Sequence, residues 1–166
     1  SAVQGSGSGG GVFNNAGTLT VRNSTLGQNS AARAGGAVET AGGNVVLFGV
    51  RLENNTTGAT PGNGGGLHAG GPATVNVDRS VVSGNSASLE GGGLWNSALG
   101  TMTVNRSTVA FNTADGTAAD NGGGGLFNQA NMAGNGGGTL RVTNSVVAGN
   151  VADAGSGSGG GILSEH

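Results

Sequence analysis

Eight acidic residues and two histidines are the side chains of this 166-residue chain that could act as general acids, general bases or oxygen and nitrogen ligands. There is no cysteine, so thiolate chemistry and disulfides are excluded. A glycoside hydrolase needs two carboxylates facing each other across a sugar ring. Asp78 is the one acid that the repeats described below place within an aligned strand, and they place no carboxylate directly above or below it. The acids therefore predict no catalytic pair, and we expect that the chain is not an enzyme.

The remaining polar candidates are also isolated. Asp115, Asp120 and Asp153 fall in predicted corner loops, and their spacing matches no calcium motif. Arg79 and Arg106 are expected to stack beside Asp78 as a solvated patch, with no cluster of acids to hold a cation. His68 has no identifiable nucleophile partner. The sequence thus predicts no catalytic residue, no metal site and no cofactor.

The elements that position these residues come from a repeat. Glycine-opened blocks begin at residues 9, 35, 64, 91, 123 and 159, at intervals of about 26 to 36 residues, which is typical of solenoid proteins. Aligned on those starts, apolar residues fill three columns and alternate with polar ones, as expected for strands that bury one face. The columns are Leu19, Val45, Val75, Met102 and Leu140; Val21, Leu47, Val77, Val104 and Val142; and Leu26, Leu52, Val82, Val109 and Val147.

An asparagine closes the strand region of each complete block. This column, the predicted asparagine ladder, is Asn29, Asn55, Asn85, Asn112 and Asn150. Stacked amides would donate hydrogen bonds to one neighbouring coil and accept them from the other. Asparagine also tolerates the left-handed conformation that a tight corner demands. A column of small residues precedes it: Ser24, Val50, Ser80, Ser107 and Ser145.

Composition agrees with a thin core shared between coils. Apolar residues make up 34% of the chain, aromatic residues 3% and charged residues 8%, which is too little bulk for one thick core but enough for stacked coils. The net charge of −2 favours neither nucleic acid nor an anionic membrane as a partner, and no apolar run is long enough to span a membrane. We predict one all-β domain over residues 1–166, with a Gly/Ser-rich lead-in at 1–8. Its fold would be a right-handed parallel β-helix (β-solenoid) of about five to six coils.

The glycine-opened blocks, such as Gly91-Gly92-Gly93-Leu94, resemble the GGG(I/L) repeats of polymorphic outer-membrane and autotransporter-like passengers, within the broader pectate-lyase-like superfamily. The resemblance covers residues 9–163. It implies a bacterial, secreted or cell-surface β-helix. It does not imply an activity, because this fold hosts adhesins, lyases, hydrolases and inert spacers. The clustered aspartates of polygalacturonases have no counterpart in this chain.

A second column defines a candidate docking stripe. It follows the inward residues of the glycine-opened strand and contains Phe13, His68, Trp95, Phe127 and Leu163, with Glu39 as the exception. If neighbouring strand residues point to opposite faces, the stripe points outward and would offer a docking surface, for example to a glycan. Alternatively, insertions at the corner cover the rings. A further outward column, Thr18, Thr74, Thr101 and Thr139 with Asn44, raises ice binding as an alternative, although Val46 and Arg141 break the array beside it.

The two ends of the repeat are alike. The heptapeptide GSGSGGG occurs at 5–11 and again at 155–161, followed by Val12-Phe13 and Ile162-Leu163. These four residues are the candidate end-to-end contact, and removal of 159–166 should then abolish association. The sequence predicts a structural extracellular solenoid with itself as partner: a stalk, an adhesin segment or a filament subunit. The alternatives are a carbohydrate-binding or polysaccharide-active β-helix, and an ice-binding protein.

Overall fold

The structure, a computed structural model, describes residues 7–58, 61–118, 120–131, 136–153 and 159–165. Within those ranges the chain is all-β, and no helix is long and apolar enough to cross a membrane. Most of the predicted lead-in and part of both GSGSGGG segments fall outside the described residues.

Each coil contributes one strand to each of four parallel sheets, which we number in the order in which the chain visits them. The first sheet contains β1 (Val12–Asn14), β5 (Val38–Thr40), β9 (Leu67–Ala69), β13 (Leu94–Asn96), β17 (Leu126–Asn128) and β21 (Ile162–Ser164). The second contains β2 (Thr18–Arg22), β6 (Gly43–Phe48), β10 (Ala73–Asp78), β14 (Thr101–Asn105) and β18 (Thr139–Thr143).

The third and fourth sheets are built from shorter strands. The third contains β3 (Thr25–Gly27), β7 (Arg51–Glu53), β11 (Val81–Ser83), β15 (Thr108–Ala110) and β19 (Val146–Ala148). The fourth contains β4 (Ser30–Ala31), β8 (Thr56–Thr57), β12 (Ser86–Ala87), β16 (Thr113–Ala114) and β20 (Val151–Ala152). The sequence did not predict the fourth sheet, because two-residue strands carry no alternation to recognise.

The parallel β-solenoid is confirmed, and so is the alignment of its columns. Val75 pairs with Val45 on one side and Met102 on the other, and Val82 lies between Leu52 and Val109. In the middle coils these side chains are completely buried and form a single apolar cluster. The number of turns differs slightly from the predicted five to six coils. The five strands of the second, third and fourth sheets are separated by about four turns, and the first sheet adds a sixth strand.

Three columns of left-handed residues turn the chain at its corners. The first glycine of each triplet is one of them, as in Gly91 with φ +62°, and the second glycine lies so close to neighbouring carbonyls that no Cβ would fit at Gly92. The other two columns follow the second and third sheets and include non-glycine residues such as Arg106 and Phe111, at φ 48° and 57°. The ladder asparagines themselves are not left-handed. The residue before each of them is, so that part of the sequence interpretation was wrong.

We expect Val104→Asp to unfold several coils. Val104 is fully buried in β14, so the new carboxylate would have no partner in the apolar column, at a cost of about 3–5 kcal/mol. Thermal unfolding followed by circular dichroism measures the effect. The matched control is Thr103→Asp, one residue away on the outward face of the same strand, which should lose far less stability. Equal losses at the two positions would contradict the inward assignment.

Candidate functional site

The asparagine ladder is the most regular polar array in the described residues. From Asn29 to Asn150, each side-chain amide donates to the Oδ1 of the next asparagine at 2.8–3.0 Å. The same Oδ1 also accepts the backbone N–H of the preceding asparagine, at 2.9–3.0 Å. The second amide hydrogen goes back to a carbonyl of the coil before, as from Asn85 to Leu52 at 2.9 Å. Every hydrogen-bonding atom of a middle asparagine side chain is therefore satisfied inside the protein.

A second ladder runs through the small column. The backbone N–H of Ser80 donates to Ser107 Oγ, and that of Ser107 donates to Ser145 Oγ, both at 3.0 Å. Each hydroxyl donates to a carbonyl two residues earlier, for example from Ser107 to Asn105 at 2.8 Å. From the sequence, this column was predicted only to be one of small residues. The recurrence of serine in four of its five positions was the signal for a hydrogen-bonding role.

The candidate docking stripe is in register, but most of it is covered. Trp95 stacks on His68 with ring centroids 4.3 Å apart and lies parallel to Phe127 at 6.1 Å. These three side chains and Glu39 are buried, whereas Phe13, at the edge of the sheet, is 53% exposed. The interpretation of the stripe as a continuous exposed surface is therefore wrong, and the alternative of covered rings holds for the middle coils.

Glu90 accepts hydrogen bonds both from Trp95 in the stripe and from the loop residues Asn63 and Asn121. Its Oε2 accepts a hydrogen bond from Trp95 Nε1 at 3.0 Å and another from Asn63 Nδ2 at 3.3 Å. Its Oε1 accepts from Asn121, whose amide is oriented with Nδ2 at 3.1 Å. Burial raises the pKa of Glu90 above its ordinary value, the hydrogen bond from Trp95 opposes that change, and the charges of Glu165 and Asp120 add to it.

Glu39 lies in the stripe one coil before His68, and its pKa is shifted in the opposite direction to that of Glu90. Arg33 donates to its Oε1 at 2.6 Å, and His68 Nδ1 lies 3.7 Å from the same oxygen, beyond hydrogen-bonding distance. Burial opposes ionisation of Glu39, but its interactions with His68, Ser8 and Arg33 outweigh burial, and its pKa lies below the ordinary value. Glu39 and Glu53 both lie in strands, so the expectation that Asp78 alone does so was wrong.

An open cavity of about 520 Å³ borders this end of the stripe. Its described lining is Ser8, Phe13, Arg33, Glu39 and Ala41. The buried Oε2 of Glu39 and Nδ1 of His68 have no hydrogen-bond partner among the described residues. The exposed face of Phe13 and the half-exposed Arg33 are the groups that solvent or a ligand would meet here.

The Arg/Asp patch lies where the sequence placed it. Asp78 accepts hydrogen bonds from Asn105 Nδ2 at 3.0 Å and from Arg106 Nε at 3.2 Å, and Arg79 lies 3.9 Å away. In the described part of the chain, no three histidines or acids are grouped as metal ligands. No family model matches this sequence, and comparison with curated proteins and with solved structures gives no match.

We expect Asn85→Ala to destabilise the fold by about 3 kcal/mol, at the upper end of the range for an unsatisfied buried group. The substitution leaves the side-chain amide and backbone N–H of Asn55 without their acceptor and the Leu52 carbonyl without its donor. Chemical denaturation measures the loss. Asn76→Ala, on the outward face of β10, is the control and should change stability little. A negligible effect at Asn85 would show that the ladder does not contribute to stability.

Glu39→Gln and Glu90→Gln should change the pH dependence of stability in opposite directions. Because the folded-state pKa of Glu39 is lowered, its stabilising contribution is present above the unfolded pKa and is lost as pH falls through the folded value. Because the folded-state pKa of Glu90 is raised, its ionisation lowers the stability of the wild type as pH rises. The stability of Glu90→Gln relative to wild type should therefore increase between acidic and neutral pH. Melting temperatures across that range test both signs. Parallel curves for the two variants would contradict the assignment.

Proposed function

We propose that this chain is a non-catalytic, structural segment of an extracellular β-solenoid, used as a stalk, an adhesin segment or a filament subunit, and that copies associate end to end. The observation that carries the proposal is the state of the two outermost coils. Their inward residues, which correspond to fully buried residues in the middle coils, are only partly covered: Val12, Leu19, Val21 and Leu26 at one end, and Leu140, Val142 and Val147 at the other. Ile162, the last residue of the first-sheet column, is 40% exposed.

The two exposed ends are complementary because they belong to the same columns. A second copy stacked on β18 and β19 would place its Leu26 over Val147 and its Asn29 over Asn150, continuing both the apolar core and the ladder. Unpaired parallel edges of this kind favour pairing with another chain. Such a head-to-tail contact is heterologous and propagates into a filament.

The strand count sets one condition on this joint. The first sheet has six strands and the other three have five. A second copy that pairs its β2 with β18 must therefore place its β1 at the level that β21 already occupies. Only one of these two strands can pair with β17 at that level. The sequence predicted that β21 would form the end-to-end contact, but β21 would have to be displaced before the β1 of a second copy could pair there.

The resemblance to surface-exposed bacterial β-helices supports the proposed location. The lack of a carboxylate pair at Asp78, whose neighbours in register are Phe48 and Asn105, supports a non-catalytic role. A second candidate, glycan binding, is favoured by the cavity at Phe13 and Arg33 alone. Binding of soluble glycans that is lost on Phe13→Ala, measured by calorimetry, would support this second candidate.

We expect Val147→Asp to prevent end-to-end association because it places a charge on the apolar end of the stack. Sedimentation velocity over a range of concentrations, with negative-stain microscopy, measures the length of the assemblies. Val146→Asp is the matched control, since Val146 lies in the same strand but is outward and 56% exposed. Filaments of unchanged length from Val147→Asp, or a monomeric wild type at high concentration, would refute the proposal.

Removal of residues 159–166 should strengthen association. The truncated chain would end each sheet with five strands, and the β1 of a second copy could pair with β17 without displacing β21. Longer filaments than those of the full chain are expected in the same microscopy experiment. Loss of association on truncation would instead show that β21 itself forms the contact, as the sequence had suggested.

A further inference from the structure

The net charge of −2 is the sum of a positively charged side and a negatively charged side of the solenoid. One arginine lies in each of five successive coils, on the second sheet, the third sheet or the corner between them, and all five residues are exposed. This arginine row is Arg22, Arg51, Arg79, Arg106 and Arg141. Asp78 and Glu53 are the acids on the same side, so five positive and two negative charges leave a net charge of +3 there.

The other acids lie on the first sheet or in the segments that border it, outside the second and third sheets. This acidic side contains Glu39, Glu90, Asp115, Asp120, Asp153 and Glu165. Arg33 is its one basic residue, so its net charge is −5, and the two sides together give the −2 of the whole chain.

Part of the charge on each side remains available to solvent. Arg106 forms an ion pair with Asp78, and Arg51 forms one with Glu53. Arg22 lies over the Phe48 ring at 5.4 Å, and neither it nor Arg141 forms an ion pair with any residue in the described ranges. On the acidic side, Asp115 and Asp120 are exposed.

The spacing of the row suits a partner with the same repeat. Coils stack about 4.8 Å apart, so the arginines, one in each coil, rise by that step along the axis. Equivalent positions of successive coils on the acidic side have the same step, and Asp115 and Asp120 share one segment there. A single exposed ion pair contributes little, but several in one register add up. Phe48, the aromatic residue beside the row, is half-buried with guanidinium groups 5.4 and 5.9 Å from its ring, and therefore offers no open platform for stacking nucleic-acid bases.

We infer that the arginine row binds the acidic side of a second copy of this chain, so that solenoids associate side by side. Because the two sides differ, the contact is heterologous and repeats laterally. It is separate from the end-to-end stacking proposed above, since the lateral contact is electrostatic and weakens with salt, whereas the end contact is apolar and backbone-paired. Side-by-side association widens an assembly, and end-to-end association lengthens it.

A charge exchange tests the inference. One variant carries Arg22→Glu and Arg141→Glu, and the other carries Asp115→Arg and Asp120→Arg. At about 20 mM salt, wild type should sediment as laterally associated species that dissociate at about 500 mM, where the Debye length is only a few ångströms. Each variant alone should remain laterally unassociated at low salt. An equimolar mixture should associate again as pairs, because the unaltered acidic side of the first variant, with a net charge of −5, then meets the unaltered arginine row of the second, whose side has a net charge of +3.

A control separates position from net charge. Arg22→Gln with Arg141→Gln lowers the net charge by two, and so does Gln28→Glu with Thr56→Glu, at exposed residues in the corner between the third and fourth sheets and on the fourth sheet, outside both sides. Only the first pair should weaken lateral association. Three results would overturn the inference: no lateral species of wild type at low salt, no recovery in the mixture, or equal effects of the two control pairs. Binding of polygalacturonate or heparin to the row in a wild type that does not self-associate would likewise overturn it, and would assign the row to an acidic polymer.

Discussion

The whole structure depends on the pairing of each strand with the equivalent strand one coil away. Parallel pairing in register brings like residues over like, so one favourable contact recurs at every step. The asparagine ladder makes this register specific. A slip of one residue would leave the Oδ1 of Asn85 without its two donors and would turn the apolar columns toward solvent. A chain with few aromatic residues can therefore form a stable core, because no coil has to bury its side chains alone.

The same stacking explains the chemistry of the first sheet. Its outward column places Glu39, His68, Trp95 and Phe127 in successive coils, under segments that connect the fourth sheet to the first. Burial raises the pKa of Glu90, whereas the interactions with His68 and Arg33 lower that of Glu39, although Glu39 is the more deeply buried of the two. Two carboxylates on one face thus differ because of what lies beside them. They interact with different partners, Glu39 with Arg33 and Glu90 with Trp95 and Asn63.

The surface of the solenoid has two kinds of region with different physical properties. Its ends expose apolar side chains and unpaired backbone edges, whereas its sides carry charges of opposite sign. In the proposed structural role, the ends would determine the length of an assembly and the sides its lateral contacts. The extra strand of the first sheet matters for that proposal, because in a continuous stack β1 and β21 would occupy the same level.

The sequence by itself determined the coil starts, the three apolar columns and the asparagine ladder, because each is a local pattern repeated at a regular interval. Val104 could be assigned inward, and Asn85 to the ladder, from spacing alone. Only the tertiary structure showed the fourth sheet, the serine ladder, the covering of Trp95 and the separation of charge. Two-residue strands have no periodicity, loops of unequal length give no sign of where they fold, and Arg22 and Arg141 occupy different positions in the repeat. Their common side becomes visible only once the coils are closed and stacked.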